Sequence, residues 1–335
     1  MPMGEPDLRV GTSGWNYPTG RGTWNGVFYP PSRGRAKGVR GAGNFDELSF
    51  YAEHFNTVEV NSTFYGQPRP DVCRAWAART PPEFQFSIKL YQKFTHPKMF
   101  EESFTRDVPP EGPVDPSSGD GLLEALTRPN QADLDEFRRG IDPLASCGKL
   151  GALLAQFPPS FKDSQHSRDY LSWLLHALAD YHVAVELRHR SWSDAIAGTL
   201  SLLNPLGAAW AQIDEPKFRC SIAQNFLPNV SGIYYMRLHG RNAAQWWRHE
   251  KAEDRYNYLY TAGELGEFVE TIGAARQIVK KAYLYTNNHF SAKSVANAAM
   301  IKKLLGDPVE GEYSEEFLSR YPELAGIAKP LARKI

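Results

Sequence analysis

Cysteine is scarce in this chain. Only Cys73, Cys147 and Cys220 occur in 335 residues, widely spaced and without a CxxC. That excludes a disulfide-stapled scaffold and a structural zinc framework, and it suits a reducing compartment. Neither sign of charge is in excess, since 38 Lys+Arg balance 38 Asp+Glu. A globally basic nucleic-acid binder is thereby disfavoured, although a local basic groove stays open. No apolar run approaches the length of a membrane span, so no membrane partner is expected. The opening MPMGEPDLRVGTSG has no basic region followed by an apolar stretch, so no signal peptide is expected either. These absences together predict a soluble, cytoplasmic protein. No GxGxxG opens the first helix and no P-loop occurs, so no nicotinamide or flavin cofactor is expected. No G-x-S-x-G elbow is present, which disfavours a serine hydrolase. HxH and HExxH are also missing.

What is present is a repeating alternation. Eight short apolar stretches recur: residues 8–13, 57–65, 84–90, 151–157, 183–188, 208–214, 232–240 and 282–288. Most gaps between them carry a helical pattern, as in NFDELSFYAEHF, SRDYLSWLLHALADY and SAKSVANAAMIKKLL. Strands alternating with helices imply a parallel sheet, and eight of them predict a (β/α)8 TIM barrel, an α/β fold. A doubly wound open sheet is the weaker alternative. We expect a single domain over residues 8–318, with a C-terminal tail at 319–335. Loops rich in Gly, Pro and polar residues near 31–43 and 105–130 read as insertions.

Strand side chains alternate between two faces, so residues of one parity share a face. Val58 and Val60 oppose Thr57, Glu59 and Asn61. Phe84, Phe86, Ile88 and Leu90 oppose Gln85, Ser87 and Lys89. Val183, Val185 and Leu187 oppose Glu186 and Arg188, and Tyr234, Met236 and Leu238 oppose Tyr235, Arg237 and His239. Each of these strands has one apolar and one polar face, with the charges late in the strand. In a barrel that gathers Glu59, Lys89, Glu186, Arg188, Arg237 and His239 at the carboxyl end, where barrel active sites lie. The remaining strands would add Ser13, Gln156, Asp214 and Asn287, Asn288 or His289.

The ordered set of motifs resembles the YecE-like family, also called domain of unknown function 72. The resemblance rests on GTSGWNY (11–17), FYP (28–30), VEVNSTFY (58–65), FQFSIKL (84–90) with His96, and LLAQFPPSF (153–161). It continues through VELRHRSW (185–192), YYMRLHGR (234–241), DRYNYLY (254–260) and NNHFSAKSVANA (287–298). These span nearly the whole chain in order. The resemblance implies a TIM barrel and a pocket, but no reaction, because the family's molecular activity is unsettled. The loops near 31–43 and 105–130 are longer than the family pattern.

Several chemistries fit such a pocket. Glu59 and Glu186 could share general acid and base work, with His239 assisting as acid or ligand. Nearby Lys89, Arg188 and Arg237 would keep both carboxylates ionised, which counts against a simple glycosidase pair. The same three cations suit a small anionic ligand: Arg188 and Arg237 as phosphate or carboxylate grips, Lys89 as a phosphate contact or a nucleophile. Asn61, Gln156, Asn287, Asn288 and His96 could orient that ligand, and Trp15 or Tyr65 could stack on it. A divalent metal on Glu59, Glu186, Asp214 and His239 is a further option, opposed by the neighbouring cations. The leading expectation is therefore an enzyme, a hydrolase or lyase acting on an anionic, phosphorylated or nucleotide-type substrate. The alternatives are a non-catalytic binder of an anionic metabolite and a metal-dependent, endonuclease-like processor of nucleic acid. The basic stretch RGRAKGVR (33–40) would serve the last of these. The oligomeric state is not legible in the sequence.

Overall fold

In the computed structural model, which describes residues 7–31, 45–107, 127–224 and 226–332, the expected strands all form. The basic stretch 33–40 and most of the two insertions lie outside the described residues. Nine parallel segments run in chain order: β1 Asp7–Ser13, β2 Thr57–Val60, β3 Gln85–Lys89, β4 Leu150–Gln156, β5 Val183–Glu186, β6 Ala209–Trp210, β7 Gln212–Asp214, β8 Ile233–Leu238 and β9 Lys281–Thr286. Their order in the sheet is β6-β5-β4-β3-β2-β1-β9-β8-β7. The two outermost segments, β6 and β7, are neighbours in the chain with only Ala211 between them. One interrupted strand therefore pairs with β5 through Ala184 and Ala209, and with β8 through Met236 and Gln212. That continuity closes the sheet into a (β/α)8 TIM barrel.

Helices wrap the outside. Among them are Glu47–Ala52, Pro70–Ala78, Gln131–Ser146, Gln165–Ala177, Ala262–Arg276 and Lys293–Leu304, each on a stretch whose period predicts it. Side chains close their amino ends. Thr261 and Glu264 form a capping box at one, and Asn130 and Asp133 form another. Helix Ile196–Leu203 was not anticipated, because IAGTLSLL has too few polar residues to show a helical period. No helix separates β7 from β8 among the described residues, unlike the other crossovers.

The two faces of the strands bury different chemistry. Outward residues such as Val58, Ile88, Val185 and Met236 join helix residues Phe137, Leu174, Ile272 and Ile301 in one large core. Burying each such side chain is worth roughly 1.5–3 kcal/mol. Inside the barrel, Tyr235, Tyr283 and Tyr285 fill the space left by Ala152, Ala184, Ala209 and Ala211 across from them. The tyrosine hydroxyls are all bonded. Tyr283 donates to Gln85 at 2.7 Å, and Tyr285 meets Thr57 at 2.7 Å and Ser87 at 2.9 Å. Large rings facing alanines satisfy volume, and paired hydroxyls avoid the cost of burying a lone polar group.

Residues 319–332 fold back onto this body. Tyr321 and Leu324 are buried in the main core, and Lys329–Pro330 pairs with Glu312–Tyr313. No helix of the described residues is long and apolar enough to cross a membrane.

The tyrosine layer makes a testable contribution. Tyr285→Phe leaves the Thr57 and Ser87 hydroxyls short of a partner and should lower stability by about 1–3 kcal/mol. The shift in denaturant midpoint at unchanged slope measures it.

Candidate functional site

The polar parity of each strand converges on one side chain, Arg237, near the carboxyl end of β8. It is 1% exposed, and all five of its N–H groups have acceptors. Nε and Nη2 grip Glu59 at 2.9 and 2.7 Å, a bidentate pair. Nη1 donates to Glu186 at 2.5 Å and to Gln156 at 3.1 Å, and Nη2 also reaches Ser13 at 3.3 Å. Glu59 is equally saturated. Besides Arg237 it accepts from Ser13, and from Tyr235 at 2.7 Å. Burial pushes the Glu59 carboxyl up, but the charge and hydrogen bonds of Arg237, helped by Ser13 and Tyr235, hold it below the usual carboxylate range. Glu186 lies well below that range on the same balance: burial pushes it up, and Arg237 and Arg188 together outweigh that.

A second layer rests on Glu186. Arg188 donates to it at 2.6 Å and turns a terminal nitrogen to His239 Nε2 at 3.2 Å. An arginine can only donate, so Nε2 carries the lone pair and Nδ1 the proton. Nδ1 lies 2.8 Å from the Asn287 side-chain nitrogen, and a proton on Nδ1 requires that amide to be turned so that its oxygen accepts. Burial, followed by the charge of Arg237, lowers His239 to about 3, so it is a neutral imidazole. Arg188 also lies 3.6 Å from Glu215, a carboxyl that burial raises above its ordinary value.

Lys89 stands apart from these pairs. Among the described residues no carboxylate lies within ion-pair distance of it. Its ammonium sits 4.2 Å from the centre of the Phe64 ring. Burial first, then the charges of Arg237 and Arg188, lower it to about 7 against the pull of Glu186 and Glu59. Asn61 follows Val60, the last β2 residue paired with β3, and caps the short helical turn Ser62–Phe64 whose Phe64 ring meets the Lys89 ammonium. The Asn61 side-chain oxygen is buried and unpartnered. His96 packs edge-on against Phe64 at 4.9 Å and also faces Lys89; burial and that charge lower it to about 3. His96 lines a cavity of about 720 Å³ that continues past Phe157, Phe161 and Tyr170.

The turns at the strand exits hold this arrangement. Gly14 has φ +82°, and a Cβ there would strike the Tyr17 hydroxyl at 2.8 Å. Tyr17 folds back to bond the Ser13 carbonyl and stacks on His289 at 4.2 Å. Gly240, φ +91°, is equally constrained by Tyr258 at 2.8 Å. The segment 246–258 covers the site: Trp246 is buried edge-on over His239 at 6.4 Å and packs on Tyr256.

The structure thus brings together Glu59, Lys89, Glu186, Arg188, Arg237, His239, Ser13, Gln156, Asn61, Asn287 and His96. Other candidates go elsewhere. Asp214 faces the opposite side, bonded to Arg241 at 2.8 Å and Tyr260 at 2.7 Å. The expected metal set is therefore broken up, with Arg237 between Glu59 and Glu186. Among the described residues no three His, Cys, Asp or Glu side chains group to hold a metal ion. Asn288 holds the Tyr258 carbonyl and Asn297, both at distances under 3 Å, as a structural clamp. Trp15 packs against Trp76 in the outer layer, and Tyr65 is 74% exposed. Arg237 has no N–H left for a phosphate, which removes the grip assigned to it. Glu215 was missed. Its signal was there, because it shares parity with inward Ala209 and Ala211, while Asp214 does not.

Comparison with known proteins agrees with the motifs. The family model described as "Protein of unknown function DUF72" matches residues 9–319. The chain belongs to the DUF72 family. It is 26% identical over 309 residues to the UPF0759 protein YunF of Bacillus subtilis, covering 89% of this chain and 94% of that one. A crystal structure of a DUF72 family protein from Thermotoga maritima superposes with a TM-score of 0.69 at 29% identity, over 90% of this chain and all of that one. Another, from Enterococcus faecalis, gives a TM-score of 0.68 at 22% identity, over 89% and 95% of the two chains. The two solved structures share the fold, and all three relatives are named by family rather than by activity.

Removing the central guanidinium tests the cluster. Arg237→Met leaves buried Glu59 without a counter-charge and Glu186 with Arg188 alone, and should cost about 3–5 kcal/mol. In the wild type, Glu59 and Glu186 titrate below their ordinary 4.5, so their contribution is complete above that value and is lost as pH falls through the folded values. Without Arg237, burial raises Glu59, which keeps only the neutral donors Ser13 and Tyr235, whereas Glu186 still has Arg188; the Glu59 contribution reverses in sign, so the variant should recover stability relative to wild type on acidification. Denaturant midpoints measured from neutral pH downward check both statements.

Proposed function

We propose that this DUF72 protein is an enzyme acting on a small anionic substrate at the carboxyl end of the barrel, with Lys89 as its reactive or charge-neutralising group. One observation carries the reading: among the described residues, Lys89 is the charged group of the cluster that has no opposite charge paired to it. Arg237 is saturated, and Arg188 is only partly committed, to Glu186, His239 and Glu215. An incoming carboxylate or phosphate would find the ammonium of Lys89, spare N–H groups of Arg188, and the Gln156 amide, whose nitrogen bonds no described group. Chemistry at the Lys89 amine fits this site better than a glutamate acid–base pair, because both Glu59 and Glu186 are ionised and occupied by donors. A lyase, or a hydrolase that neutralises developing charge, is the reaction class we assign.

The saturation of Glu59 also favours a second reading. Two glutamates held ionised and occupied by donors suit a protein that binds an anionic metabolite without transforming it. Binding and turnover separate the two.

A ligand that binds only the folded state raises stability by about 2.7 kcal/mol at a hundredfold excess over Kd. Thermal shifts with inorganic phosphate, phosphosugars, nucleotides and short carboxylic acids should therefore reveal one stabilising class. Lys89→Met should weaken that shift while leaving the unliganded melting temperature near wild type; Arg188→Gln should weaken it too and also lower the unliganded melting temperature, because it removes a partner of buried Glu186. Stabilisation that survives both substitutions, or none with any anion, would sink the proposal.

A further inference from the structure

We propose that Lys89 forms an imine with a small carbonyl compound that carries a carboxylate or phosphate group. This rests on the anion-binding reading above and names the reaction at that site.

Four features of the surroundings support it. The amine has no carboxylate partner among the described residues, and it lies over the face of Phe64 at 4.2 Å, so nothing fixes it as a permanent half of an ion pair. Burial, with the charges of Arg237 and Arg188 added to it, disfavours the ammonium form and leaves a lone pair available near neutral pH. Asn61, three residues before Phe64 at the same strand exit, has a buried and unpartnered side-chain oxygen, an acceptor for a hydroxyl or N–H of a bound substrate. His96 bonds Thr95 through Nδ1 at 2.9 Å, and its second nitrogen bonds no described group. This neutral imidazole lines the 720 Å³ cavity and can pass a proton between solvent and the reacting atoms.

The step balances without a further reagent. The lone pair of Nζ attacks the carbonyl carbon, and the π pair moves to oxygen. Nitrogen loses a proton as that oxygen gains one, giving a carbinolamine. The nitrogen pair then expels the oxygen as water, which takes one more proton relayed from solvent through His96. Amine, carbonyl and one proton become a protonated imine and one water. Arg188, with N–H groups to spare, holds the substrate's anionic end. The cationic imine then withdraws electrons from a neighbouring C–C or C–H bond, the requirement of a lyase.

Trapping tests this directly. The full chain is incubated with pyruvate or with glycolaldehyde phosphate, reduced with sodium borohydride, digested and mapped by mass spectrometry. Hydride converts the imine to a stable secondary amine. The expected result is a reduced adduct concentrated on the peptide containing Lys89 and absent there in Lys89→Arg, a variant that keeps the charge. Preference for one probe tells a carboxylate substrate from a phosphorylated one. Arg188→Gln should reduce trapping several-fold. Thermal shifts with lactate and inorganic phosphate, which cannot form imines, are measured on the same preparations. Stabilisation by either with adducts only on surface lysines overturns the imine and leaves the anion site standing. Absence of both stabilisation and a Lys89 adduct overturns both readings.

Discussion

The bidentate pair between Arg237 and Glu59, extended to Glu186, is the interaction on which the rest of the site depends. Three charges with almost no exposure are tolerable only if every donor and acceptor is matched, and here they are. The geometry this demands is narrow. Glu59 comes from β2, Glu186 from β5 and Arg237 from β8, so the pairing ties distant sectors of the barrel at one level. Once Glu186 is oriented, its remaining oxygen orients Arg188, and Arg188 decides which nitrogen of His239 bears the proton. A preorganised polar floor follows from one saturated guanidinium.

Below that floor the barrel is filled by tyrosines opposite alanines, and above it lie the groups that are not saturated. The interior therefore grades along the barrel axis from ring packing, through paired charge, to half-buried Lys89, Arg188 and Gln156. Stability and reactivity are separated by depth. The lower layers satisfy their hydroxyls internally, while the mouth keeps an amine and an amide oxygen unpaired. Those free groups sit on strand ends and the turns that follow them, which limits how far they can drift.

Much of this was legible in the chain. The eight apolar stretches, four of them with opposed apolar and polar parities, pointed to a closed parallel barrel, and most of the outer helices showed their period, whereas Pro97–Asp107 and Ile196–Leu203 did not. The charged residues late in β2, β3, β5 and β8 were correctly placed at one end. Roles were less legible. Arg237 read as a ligand grip and is a structural hub. Lys89 read as one of three similar cations and is the unpaired one. Asp214 read as inward, but it bonds Arg241 and Tyr260, and its neighbour Glu215 approaches Arg188 instead. In the short β6 and β7, alanines on one side and mixed residues on the other blurred the parity that was clear elsewhere. Trp15 and Asn288 look like ligand contacts by position, yet Trp15 packs on Trp76 and the Asn288 amide nitrogen is taken by Tyr258 and Asn297, leaving only its oxygen unpartnered.

What the sequence determined by itself is the alternation, because the period-two geometry of a strand is local and needs no partner. From that alternation came the barrel class, the inward set and the end at which it gathers. What only the tertiary structure decided is who pairs with whom. Glu59 and Arg237 are 178 residues apart, and their meeting depends on strand register and closure of the sheet. A charge that finds its counter-ion becomes scaffold, and one that does not, as at Lys89, stays available for chemistry; that difference belongs to distances across the barrel and is written in no stretch of the chain.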